Sequence, residues 1–175
     1  MAVFLIRHTV TAVPKGICYG QTDVALAEDF QADFDRIKDA YPALKDIKTV
    51  YSSPLQRCSI LARFLFPNEE VVFDKRLMEL NFGKWELQAW DDLSKDELDP
   101  WMNDFVNVAC PEGESYVALS RRVLEFWSNI DKSKDCAIVS HGGAIRAILA
   151  HEQGVSLKDS FSIKVDLGEV YVVAE

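Results

Sequence analysis

The stretch Ala2-Val-Phe-Leu-Ile6, followed at once by Arg7-His8-Thr9, decides the fold. Five apolar residues without a polar break describe a strand buried on both faces, as in a parallel sheet. The polar triplet then stands at its carboxyl end. Two further runs have similar form. Lys48-Thr-Val-Tyr51 leads into Ser52-Ser-Pro-Leu-Gln-Arg57, and Cys136-Ala-Ile-Val139 leads into Ser140-His141-Gly-Gly143. Segments of helical period separate them. Leu119, Val123, Phe126, Trp127 and Ile130 share one helical face, with Arg121, Arg122 and Glu125 off it and Ser115 as N-cap. A helix after Pro54 is expected to bury Ile60, Leu61 and Leu65. Another runs from about Ala144 to Glu152 and stops at Gly154. The tail reads as a hairpin: Phe161, Ile163, Val165 and Leu167 alternate with polar residues, and Gly168 precedes Val170 to Val173.

Strands alternating with helices predict an α/β fold, a three-layer α/β/α sandwich around a mostly parallel central sheet. At 175 residues, positions 1–175 are expected to form one domain. Hydrophobic residues at 49% and charged residues at 27% exclude a disordered chain. The cysteines, Cys18, Cys58, Cys110 and Cys136, are scattered without a C-x-x-C pair. With no signal-peptide pattern in view, they read as reduced thiols of a cytoplasmic protein. The run Ala2 to Ile6 is too short to span a membrane.

Twenty-eight acids against nineteen bases give a net charge of -9. A field of that sign argues against nucleic acid or an anionic membrane as partner. Taken alone it also argues against a phosphorylated substrate, but position reverses that inference. Asp91, Asp92, Asp96, Glu97, Asp99 and Asp104 stand against one base, Lys95, in a stretch expected to be a solvated helical flap within an insertion around 85–110. If the three strands are neighbours, Arg7, His8, Arg57 and His141 converge outside their carboxyl ends, where open parallel sheets bind ligands. Arginine forks suit phosphate oxygens. The amides of Gly142 and Gly143, at a helix N-terminus, would add donors.

In order along the chain, Leu5-Ile-Arg7-His8-Thr9, Cys18-Tyr-Gly-Gln-Thr-Asp23-Val-Ala-Leu26, Ser53-Pro-Leu-Gln-Arg57, Met78-Glu79-Leu-Asn-Phe-Gly83-Lys-Trp-Glu86, Pro111-Glu-Gly-Glu-Ser115 and Ser140-His141-Gly-Gly143 resemble the histidine phosphatase superfamily, the phosphoglycerate mutase-like fold. The Cys18 to Asp23 segment and the modest length look most like its alpha-ribazole phosphatase branch, which removes the 5'-phosphate of alpha-ribazole phosphate in cobalamin nucleotide loop assembly. The resemblance implies that His8 is the nucleophile and carries a phosphohistidine. It implies that Arg7, Arg57 and His141 hold the transferring group, and that Glu79 is proton donor to the leaving oxygen and then base for water. Gln21, Thr22 and Gly142 would join the substrate-binding residues. No metal or other cofactor is implied, and the partner is a small phosphate ester. Oligomeric state is left open.

The chain departs from the commonest family pattern at Thr9, where glycine is usual, at Val10, where glutamate is, at Leu87, where glycine is frequent, and at Pro14, where mutase-like members often carry asparagine. Other readings are weaker. The three histidines lack the H-x-x-x-H spacing of a zinc site. Asp33-Phe-Asp35 sits in a polar helical stretch rather than after a strand, and no cysteine has an arginine six residues on. Glu86 competes with Glu79 as the acid, and Glu79 is preferred by motif position. A sugar or nucleotide phosphatase or a mutase would keep the fold, and a silent phosphate-binding module would keep the pocket. Trp85, Trp90 and Trp101 suit core packing under the flap, or stacking on a heteroaromatic leaving group.

Overall fold

Parallel pairing brings the three apolar runs side by side. In the computed structural model, which describes residues 1–174, they become β1 (Ala2–Arg7), β2 (Thr49–Ser52) and β4 (Cys136–Ser140). With β3 (Val71–Phe73) and β5 (Val170–Ala174) they form a five-stranded sheet in the order β3-β2-β4-β1-β5. Four strands are parallel and β5 runs antiparallel against β1. The register places Arg7 opposite Ser140 and Ser52 opposite Val139, so the polar ends of all three runs lie along one edge.

Alternation along each strand divides the interior into two cores. Val3, Leu5, Cys136 and Ile138 face α4 (Tyr116–Asn129) and α5 (Gly142–Gln153). Ile6, Val50, Ala137 and Val139 face α1 (Phe30–Ala40) and α2 (Gln56–Leu65). The expected three-layer sandwich is the observed one. Ser115 Oγ accepts the Ala118 amide as N-cap of α4, and Gly154 closes α5 in the left-handed region at φ 66°. The acidic stretch contains α3 (Lys95–Asn103), none of whose residues is fully buried, although Leu98 and Trp101 pack partly against the core. Asp96 and Glu97 lie in its first turn, where the helix dipole favours negative charge. Among the described residues no helix is long and apolar enough to cross a membrane.

Two expectations are corrected. The inward face of α2 carries Cys58, Leu61, Ala62 and Leu65, which leaves Ile60 exposed. The tail forms no hairpin: Ser160–Ser162 is a single 3-10 turn, and only Val170–Ala174 is a strand. The carbonyls that a first hairpin strand would need are taken by side chains. Arg7 Nη1 donates to Val165 O, and Arg146 Nε donates to Ile163 O at 3.2 Å.

Candidate active site

Each strand end delivers one part of the site. Arg7 and His8 leave β1, Arg57 opens α2 after β2, and His141 precedes α5 after β4. Arg7, His8, Arg57, Glu79 and Gly143 line one cavity of about 320 Å³. Its walls are aromatic, with Tyr19, Phe82, Trp90, Trp101, Phe105, Tyr116 and Phe161, and Arg146 adds a further cation.

His8 is 2% exposed and its Nδ1 lies 2.7 Å from Thr9 O. A carbonyl oxygen only accepts, so that nitrogen carries the hydrogen and Nε2 keeps its lone pair. Burial, then the charges of Arg57 and Arg7, outweigh the Thr9 bond and push the His8 pKa down to about 3. The ring is therefore neutral across the physiological range. His141 is fully buried behind it, ring centroids 5.2 Å apart and planes at 62°, with Nε2 2.8 Å from Ser53 Oγ. Its pKa is also lowered well below the usual value, by burial and then by Arg57.

Arg57 is fully buried; Nη1 donates to Thr22 O at 3.0 Å and Nη2 to Gly20 O. Burial lowers the pKa of Arg7, whose guanidinium packs against Gly142, where a Cβ would stand 3.0 Å from Cζ. The Nε atoms of both arginines are buried and have no protein acceptor. Buried donors nearly always find partners, so this pair is chemically suited to an anion.

Glu79 enters from the irregular segment after β3. Its Oε2 accepts the Gly143 amide at 3.0 Å and its Oε1 the Leu80 amide at 2.9 Å. A Cβ at Gly143 would fall 2.3 Å from Glu79 Oε1, so any side chain there would displace the carboxylate. Glu86 lies outside the cavity wall, its carboxylate accepting from Gly20 N, Gln21 N and Thr22 Oγ1 at 2.7–3.0 Å. Gln21 and Thr22 do not line the cavity either. Gln21 Nε2 donates to Glu79 O at 3.0 Å, while Thr22 O receives Arg57. Among the described residues no three His, Cys, Asp or Glu side chains gather as a metal-ligand set.

The match to the histidine phosphatase superfamily (branch 1) runs over residues 3–174. The chain belongs to that family. This histidine phosphatase is 27% identical over 179 residues to the adenosylcobalamin/alpha-ribazole phosphatase of Salmonella typhimurium, covering 96% of this chain and 87% of that protein. It is 29% identical over 174 residues to a Hydrogenobacter thermophilus protein that bears the provisional name phosphoserine phosphatase 2, covering 94% and 84%. Among solved structures it is similar to the alpha-ribazole phosphatase of Shigella flexneri, with a TM-score of 0.89, 25% identity and coverage of 99% and 90%. The protein is thus a phosphatase, in a family where transfer through a phosphohistidine is general.

Sequence reasoning missed most of the cavity wall of this histidine phosphatase. Tyr19, Phe82, Phe105, Tyr116, Arg146 and Phe161 come from separate segments, and only the fold brings them together. Trp90 and Trp101 belong to that wall, with centroids 5.9 Å apart and planes at 24°. Trp85 is 1% exposed, part of the core and outside the cavity wall. Two acid-segment partners, Glu114 and Arg122, were visible only as a motif member and a polar helix position.

Proposed function

We propose that the enzyme is a metal-independent phosphomonoesterase whose nucleophile is His8 and whose substrate is alpha-ribazole 5'-phosphate. The observation that carries the reading is the Nδ1–H bond from His8 to Thr9, which leaves Nε2 free beside the two arginines. Nε2 attacks phosphorus as the ester P–O bond breaks, and Glu79 gives its proton to the departing alkoxide. Glu79 then takes a proton from water, whose oxygen attacks phosphorus and releases inorganic phosphate and neutral His8. Arg7, Arg57 and His141 stabilise the charge on the equatorial oxygens during both transfers. Gly142 allows Arg7 its close approach, and Gln21 and Thr22 act through Glu79 and Arg57.

The aromatic wall supports a heteroaromatic leaving group. Offset or edge-on contacts from Trp90, Trp101 and Phe82 suit a benzimidazole base. The names of the Salmonella and Shigella relatives support the same substrate. Four buried free cysteines suit a reducing cytoplasm. A second reading is favoured by Arg146, which lines the cavity with its guanidinium 4.6 Å from the Phe161 centroid. A cation there suits an acidic leaving group such as serine. A phosphate-release screen over ribazole, seryl, sugar and nucleotide phosphates tests both. Highest kcat/KM on the ribazole ester, unchanged after exhaustive chelation, is expected. Preference for phosphoserine would select the second reading.

A further inference from the structure

The segment carrying Glu79 is irregular between the 3-10 turns Lys75–Leu77 and Gly83–Trp85, so its shape must be imposed from outside. Arg122, in the second turn of α4, supplies that restraint. Its Nη1 donates to Arg76 O at 2.8 Å and Met78 O at 2.7 Å, and its Nη2 donates to Glu79 O at 2.8 Å. Nε and Nη2 also grip Glu114 Oε1 and Oε2 at 2.8 and 2.9 Å. Every N–H of the guanidinium is used. Glu114 closes the frame, its Oε2 accepting from Asn81 N at 2.9 Å and its own amide donating to Asn81 O at 2.8 Å.

The two side chains are only 19% and 20% exposed, and the contact is bidentate. That separates it from the mobile surface pairs that contribute little. Arg122 does not line the cavity. Its hydrogen bonds reach the site through the main chain of residues 76–79, and its charge is a minor contributor to the lowered pKa of His141.

We propose that Arg122, braced by Glu114, is a positioning residue for proton donation by Glu79. The proposal rests on the reading of Glu79 as the acid. Glu79 is held at its carbonyl by Arg122 and Gln21 and at its carboxylate by the Gly143 and Leu80 amides, which fixes it in the cavity wall where a leaving oxygen would depart. A lysine at position 122 offers one point of attachment in place of a fork spanning three carbonyls and a carboxylate.

Leaving-group dependence tests this, because an alkoxide needs a proton to depart and p-nitrophenolate does not. Arg122→Lys and Glu114→Gln are each assayed for kcat/KM on an alkyl monophosphate and on p-nitrophenyl phosphate, beside Glu79→Gln. The ratio of the two values does not depend on how much of a variant is folded. Both variants are expected to lose about tenfold to a hundredfold on the alkyl ester and no more than about threefold on the nitrophenyl ester. Equal loss on both esters, or loss on neither, overturns the proposal. If Glu79→Gln alone is selective, the proposal falls and the acid reading stands. If Glu79→Gln is not selective, both fall.

Discussion

The Nδ1 of His8 lies 2.7 Å from the main-chain oxygen of its neighbour Thr9, and this contact fixes which ring nitrogen faces the cavity. It opposes the burial and arginine charges that lower the His8 pKa to about 3, without overcoming them. The consequence for stability has a definite sign. Between about pH 3 and the ordinary value of 6.5, unfolded His8 is protonated and folded His8 is not. The unfolded state binds more protons there, so stability falls as pH drops below about 6.5. His141 acts in the same direction. Urea unfolding at pH 7.5 and 5 should show that fall, with a slope up to about 1.4 kcal/mol per pH unit for each titrating histidine. His8→Asn should reduce it. Equal stability of the native protein at the two values would contradict the burial of neutral histidines.

Gly143→Ala should separate activity from stability. A methyl group there collides with Glu79 Oε1 and must displace the carboxylate. Within helix α5 the same change favours the helix by about 0.5–1 kcal/mol. The expected result is a loss of about a hundredfold in kcat/KM on alkyl esters with an undiminished Tm. Full activity in a folded Gly143→Ala protein would show that Glu79 does not need its observed place.

At Leu87 the chain carries leucine where glycine is frequent in the family pattern, and the backbone records it. Leu87 has φ 64° and is 55% exposed, so it holds a left-handed conformation without packing to compensate. Leu87→Gly should stabilise by about 1 kcal/mol, a rise of about 2–4 °C in Tm by calorimetry. A lower Tm would mean that the side chain contributes more than its backbone strain costs.

The tryptophans divide by burial. Trp85→Ala should destabilise by about 3–5 kcal/mol, as for other buried aromatics, readable in denaturant melts. Trp90→Ala and Trp101→Ala should instead lower kcat/KM for the ribazole ester by up to about tenfold relative to a plain alkyl phosphate. If folded proteins with those changes treat the two esters alike, the leaving group does not rest on that wall.

The strand ends were legible because local pattern and chemistry coincide there: continuous apolar runs stop at Arg7-His8 and at Ser140-His141, and a shorter β-branched and aromatic run stops at Ser52-Ser53. The core face of α4 and the Ser115 cap were legible for the same local reason. The tail was not, since its alternation from Phe161 to Leu167 is real but its carbonyls are claimed by Arg7 and Arg146 from elsewhere in the chain. Strand β3, three residues with two exposed, carries too little pattern to be seen. Arg122 was read only as a polar position off the apolar face of α4. Its partners are main-chain carbonyls some forty residues away, which residue type cannot announce.

The central claim is covalent transfer through His8, and trapping the intermediate tests it most directly. The enzyme is mixed with a phosphate-labelled substrate, quenched in denaturant, and the protein-bound label is followed at acid and alkaline pH. An acid-labile, alkali-stable phosphoenzyme that is absent from a folded, inactive His8→Ala protein is the predicted result. Full phosphatase activity in His8→Ala, or label retained there, would contradict it.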